Sequence, residues 1–171
     1  MTPEQKSLVI NLSLGRVSEA DFRARFGVDL SSPSATILGL LTTACERKDA
    51  GDVECALILA WRFSALGPSH VDVLCTLLLA PWHTRHEDIA KALQTLRDPR
   101  AVGALTEAAT TKHAYLEYDQ SHALARKCTW ALADIGTDAA RARLLQLTRC
   151  TDETVAGYAR RRLARGLRSS E

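Results

Sequence analysis

The sequence predicts an all-α fold, an α-solenoid of about four helical hairpins behind an N-terminal helical cap, and three observations carry that expectation. Apolar residues recur at helical spacing, and no segment alternates as a half-buried strand would. Helix-start signals punctuate the chain at short intervals. Three stretches stack without gaps: SALGPSHVDVLCTLLL from Ser64, QTLRDPRAVGALTEAA from Gln94, and ADIGTDAARARLLQLT from Ala133. Each ends one helix, turns at a Gly or an Asp-Pro step and begins the next. Their starts at 64, 94 and 133 give offsets of 30 and 39 residues. That is the range of a two-helix repeat, which buries its apolar face only against its neighbours.

The elements follow in order. Thr2-Pro3-Glu4-Gln5 opens the first helix, with the Thr2 hydroxyl placed to cap free amides, Pro3 pre-set for the first turn and Gln5 able to reach back. Ser18-Glu19-Ala20-Asp21, Ser32-Pro33 and Asp98-Pro99 repeat that logic. Residues 1–31 read as a helical cap segment and 32–171 as the repeat region. Helices are expected near 33–48, 50–66, 69–80, 86–96, 99–111, 121–135, 138–149 and 152–168. In 121–135, Leu124, Cys128, Ala131, Leu132 and Ile135 share one face, and Ile89, Ala92, Leu93 and Leu96 do the same in 86–96. VECALILAWRFSAL and VDVLCTLLLA are apolar nearly all the way round, which predicts packing on more than one side.

With 171 residues, 46% hydrophobic and 25% charged, the chain falls in the range of one soluble domain. A formal net charge of +2 does not make nucleic acid the default partner. The five cysteines, Cys45, Cys55, Cys75, Cys128 and Cys150, are scattered and form no C-x-x-C pair, so reduced, mostly buried thiols are expected. The N-terminal stretch lacks the pattern of a secretion signal, and the longest apolar run is too short to span a bilayer. A cytoplasmic protein with no membrane partner is the expectation.

Two blocks carry a resemblance. LRDPRAVGALTEAA, followed by LARKCTWALADIGTDAARARLLQL, resembles the short bacterial HEAT repeats first noted in phycobilisome lyases. Their turns carry a Gly-Asp-Pro-like step and their second helices are rich in Ala and Leu. The likeness covers about 64–167 well and 33–66 loosely, and the first thirty residues lie outside it. YARRRLARGL carries Arg162 and Arg165 where earlier repeats are apolar, which suits a terminal cap with a polar outer face. The resemblance implies a concave surface lined by the second helices, and that a partner is held there. The EYDQ segment with the LARKCTWALADIGT block also resembles HEAT-repeat proteins that neutralise polymorphic bacterial toxins, which implies a toxin domain as partner.

The residues offer little chemistry of their own. HTRHED, His83 to Asp88, places two histidines at an i, i+3 spacing across a turn, without a third soft ligand nearby. Glu87 and Asp88 are expected to favour the helix start, and the histidines to be surface residues. Cys128 shares a face with Leu124 and Leu132, the setting of a small core residue. No Gly-rich phosphate loop, nucleophile elbow or H-E-x-x-H motif is present. No cofactor, metal or catalytic residue is expected.

Candidate partner-binding residues come from the break in the repeat. The second repeat is nine residues longer than the first, and the excess falls in KHAYLEYDQSH between two expected helices. A neutral insertion would tend to Gly, Ser, Asn and Pro. This one interleaves Tyr115, Leu116 and Tyr118 with Glu117 and Asp119, and tyrosines are enriched as interface anchors. The alternative is that Tyr115 and Leu116 seal the ends of neighbouring helices. Trp130 lies off the Leu124–Leu132 face near Lys127 and Asp134. It either packs on the adjacent hairpin or joins Arg126 and Lys127 on the second-helix surface, which Glu54, Arg62, Glu87 and Lys91 would extend. From Arg141 to Glu171 eight arginines stand against Asp152, Glu153 and Glu171, and Arg161, Arg165 and Arg168 share a face. That stripe is either a solvated cap or a phosphate-binding surface of the kind that HEAT-like alkylpurine DNA glycosylases use. A general protein-assembly adaptor is the other alternative.

Overall fold

A computed structural model describes residues 1–116 and 121–168, with side chains as far as Arg165. Among these residues the structure is all-helical, with ten α-helices, three short 3-10 turns and no strand. The helices are α1 (Pro3–Ser13), α2 (Glu19–Phe26), α3 (Pro33–Arg47), α4 (Ala50–Arg62), α5 (Val71–Leu78), α6 (His86–Leu96), α7 (Val102–Ala108), α8 (Ala123–Ile135), α9 (Asp138–Leu147) and α10 (Glu153–Arg168). The expected starts hold with two refinements: α5 and α7 open through 3-10 turns at Pro68–His70 and Pro99–Ala101. The expected end of α4 at residue 66 is too late, because Ser64 turns into the left-handed region at φ 48° and stops the helix at Arg62.

Capping follows the sequence closely. The Thr2 hydroxyl accepts from the Gln5 amide at 3.2 Å while the Gln5 side chain accepts from the Thr2 amide at 2.9 Å. Ser18 accepts from the Asp21 amide at 3.1 Å, and Asp98 accepts from the Arg100 amide at 2.9 Å. Ser32 departs from the pattern: its side chain makes no capping bond, and only Pro33 sets the start of α3.

The chain forms two compact units, the first spanning Met1–Val73 and the second beginning at Leu74. In the first, α1 packs on α2 and α4, and α3 packs on α4. Val9, Phe22, Phe26, Ile37, Leu41, Val53 and Leu59 form its core, with the Phe22 and Phe26 rings stacked 4.7 Å apart. Asp52 is buried there and its charge is met by Lys6 at 3.0 Å.

In the second unit α8 is the hub, packed on α6, α7, α9 and α10. Helices meet their second neighbours as well as their first: α6, α8 and α10 form one row, and α7 and α9 the other. The predicted face of α8 is the buried one, with Leu124, Cys128, Ala131 and Leu132 all enclosed. Opposite them lie Ile89 and Leu93 of α6, Leu105 of α7, Leu144 of α9, and Val155 and Ala159 of α10. Gly136, at φ 70°, ends α8 in the left-handed conformation that glycine adopts without strain. This puts the turn where the repeat predicts it.

Candidate functional site

The row α6–α8–α10 brings together five of the residues expected to bind a partner. Glu87, in the first turn of α6, meets Lys127 of α8 at 2.8 Å. One turn further along α6, exposed Lys91 donates to Gln94 at 3.3 Å, and Gln94 donates across to Asp134 of α8 at 2.6 Å. Trp130 stands between Lys127 and Asp134 on α8 and is 37% exposed. Two guanidinium groups lie over its ring: Arg162 of α10 at 4.3 Å and Arg126 at 5.8 Å. The two readings of Trp130 thus meet, because the neighbouring helix does reach it, but with a cation.

The α10 side of this face is basic. Arg161 lies over the Tyr158 ring at 4.8 Å, and Tyr158 donates to the Ser121 carbonyl, tying α10 to the segment before α8. Burial, reinforced by the nearby charges of Arg165 and Arg161, lowers the pKa of Arg162 from its ordinary value, with Asp134 opposing the trend. Arg165 is exposed on α10, whereas the Arg168 side chain lies outside the described residues. Glu117, Tyr118 and Asp119 also lie outside them. In the first unit, Arg62 lies 3.8 Å from Glu19.

Tyr115 and the histidines correct the reading of HTRHED. His83 and His86 are buried, not surface residues, and with His113 they form a run of adjacent imidazoles, stacked from His83 to His86 and tilted from His86 to His113. Ring centroids are 4.3 Å apart from His83 to His86 and 3.9 Å from His86 to His113. One ring meets the last turn of α5 and the other the segment just after it. Nε2 of His83 donates to the Leu77 carbonyl and Nε2 of His86 donates to the Ala80 carbonyl, both at 2.8 Å. A carbonyl only accepts, so both rings carry their proton on Nε2. Nδ1 of His83 then accepts from the Arg85 amide at 3.1 Å, and Nδ1 of His86 accepts from the Tyr115 hydroxyl at 2.8 Å. Tyr115 is half-buried and stacks on His86 at 5.6 Å, so it joins the insertion to the start of α6. This is the helix-sealing alternative for Tyr115.

The sequence did hold a signal for His86. It stands three residues before Ile89 and seven before Leu93, on the stripe that packs against α8. Burial lowers the pKa of His86 to about 4, and it lowers those of His83 and His113 in the same direction. All three are therefore neutral near pH 7. The ring nitrogens of His83 and His86 are taken up by hydrogen bonds, and among the described residues no group of three His, Cys, Asp or Glu side chains is arranged to hold a metal ion.

The remaining chemistry is sparse. A cleft of about 580 Å³ lies beside the insertion, lined by Thr111, His113, Leu116, His122, Leu124 and Asp152 among others. His122 Nδ1 is 3.2 Å from Asp152, whose carboxylate also caps α10 by accepting from the Thr154 amide at 3.0 Å. Burial pushes the Cys128 thiol up to about 12 and that of Cys55 up to about 11, the opposite of what a nucleophile needs. Iodoacetamide at pH 8 is expected to modify the half-buried Cys45, Cys75 and Cys150 in the native protein and to reach Cys55 and Cys128 only after unfolding. Peptide mass spectrometry checks this, and early labelling of Cys128 would contradict its core position.

Comparison with family models, curated proteins and solved structures gives no match. The functional reading therefore rests on the sequence and geometry of this chain itself. Among the described residues no helix is long and apolar enough to cross a membrane.

Proposed function

We propose that this chain is a short HEAT-like α-solenoid that acts by binding another protein, and that it is an immunity protein that neutralises a bacterial toxin by stoichiometric binding. The observation that carries the binding reading is the exposed Trp130 on the α6–α8–α10 row, flanked by Arg126, Lys127, Glu87 and Lys91. An exposed tryptophan beside arginines, rimmed by paired charges, has the composition of an interaction hot spot. Packing of each helix on its second neighbour within the second unit supports the solenoid reading. The toxin as partner comes from the resemblance of the EYDQ and LARKCTWALADIGT segments.

Inhibition of this kind needs no turnover: the face covers the active site or substrate path of the toxin. The test is co-expression with the candidate toxin domain encoded beside the gene, followed by light scattering of the purified complex. The expected result is a one-to-one complex and restored growth. Trp130→Ala is expected to weaken the complex by about 2 kcal/mol, roughly thirtyfold, with helicity unchanged. A complex untouched by Trp130→Ala moves the interface elsewhere, and toxicity that persists despite binding removes the immunity role. Recovery of several unrelated proteins in place of one partner favours an adaptor.

A further inference from the structure

We infer that Arg126, Trp130, Arg161 and Arg162 form the docking point for an acidic segment of the partner protein, its Asp or Glu carboxylates seating on the α8–α10 side of the face. The inference deepens the protein-binding reading and rests on it. It follows from how charge is distributed along the row. On the α6 side the cations are matched: Lys127 is paired with Glu87 at 2.8 Å, and Lys91 is linked through Gln94 to Asp134. On α10, Arg160 is likewise paired, with Glu153 at 2.7 Å. The next two arginines are not. Arg161 and Arg162, like Arg126, lie over aromatic rings, and among the described residues none of the three is in an ion pair.

An aromatic ring attracts a guanidinium but does not occupy its N–H donors as a carboxylate does. It also holds the planar group in place, so less rotamer freedom is lost when an acid binds bidentately. Burial lowers the pKa of Arg162, and Arg165 and Arg161 add like charge to it that an incoming carboxylate would relieve. A nucleic acid backbone fits this pattern less well. Phosphates continue at short regular spacing along a strand, and a strand leaving the arginines toward α6 meets the carboxylates of Asp134 and Glu87. A protein segment carries its acids in one cluster beside uncharged residues, which matches a basic end adjoining a balanced one.

Fluorescence anisotropy with the full chain tests this against three labelled probes: an octapeptide of alternating Glu and Gly, an octalysine, and an eight-nucleotide oligothymidylate. The acidic octapeptide is expected to bind at low salt and to be released as ionic strength rises. Arg126→Gln with Arg162→Gln is expected to weaken it about tenfold, Trp130→Leu to weaken it, and Trp130→Phe to retain it because a ring remains under the cations. Arg141→Gln, at an exposed position of α9, is the control expected to change nothing. Tighter binding of the oligothymidylate overturns the inference in favour of a phosphate surface. Octapeptide binding indifferent to Arg126 and Arg162, or no octapeptide binding at all, overturns it outright. If the toxin complex survives the Arg126 and Arg162 changes, this inference fails while the protein-binding reading stands; if the unaltered chain binds no toxin, the parent reading fails first.

Discussion

Urea unfolding followed from pH 7 down to pH 4 is expected to lose about 3 kcal/mol from the unit that contains His86. The sign follows from where the proton prefers to be. Unfolded, His86 titrates near its ordinary value of 6.5, whereas burial holds it near 4 in the folded protein. Above pH 6.5 both states are neutral and the stability is fully present. Between 6.5 and 4 the unfolded chain takes up a proton that the folded one refuses, so stability falls throughout that window and levels off below it. His83 and His113 are shifted the same way, so they steepen the loss. The variant His86→Gln keeps an amide donor for the Ala80 carbonyl but cannot titrate. It should be weaker than the unaltered protein at pH 7, and its stability should vary less between pH 6.5 and 4. Identical pH slopes for the two proteins would show that the stack does not titrate as its burial dictates.

Leu93→Ala is expected to remove about 3 kcal/mol and to weaken partner binding as well. Leu93 is fully enclosed on α6, in the seam with α8 that brings Glu87 to Lys127 and Gln94 to Asp134. Truncating it leaves a void that close-packed neighbours fill only in part. The seam then loosens, and the residues that it aligns lose their common surface. Trp130→Ala is the contrasting change. The indole is 37% exposed and held by cations, not enclosed by apolar groups, so its removal is expected to lower stability by less than about 1 kcal/mol. Chemical denaturation and complex formation measured on both variants separate fold from interface. Equal stability losses would mean that Trp130 is part of the core.

How far the sequence could be read depends on which residues carry the information. The α8 stripe from Leu124 to Leu132 was legible because period and hydrophobicity agree, and the same holds for Ile89 and Leu93. Thr2, Ser18 and Asp98 were legible because a cap acts within three residues of itself. His83 was not, since imidazole suits both surface and core, and His86 was marked only by its place on the Ile89–Leu93 stripe. The contacts of both rings run six residues back across a turn, to Leu77 and Ala80, and no periodic pattern points to those. Lys127 and Trp130 could be assigned to a side of α8, but their partners Glu87 and Arg162 depend on how three separate helices line up. The insertion was visible as an irregularity of length, and only the hydrogen bond from Tyr115 to His86 shows what part of it does.

The alternation of rows in the second unit separates two kinds of change over generations. The residues proposed to meet a partner sit on α6, α8 and α10, whereas the enclosed Leu105 and Leu144 belong to α7 and α9. If these residues recognise a partner as proposed, substitutions at Lys91, Trp130 or Arg161 can change it while the supporting helices stay under their own, separate selection. Under the proposed binding role, a lineage with this layout can change partners without having to invent a new scaffold.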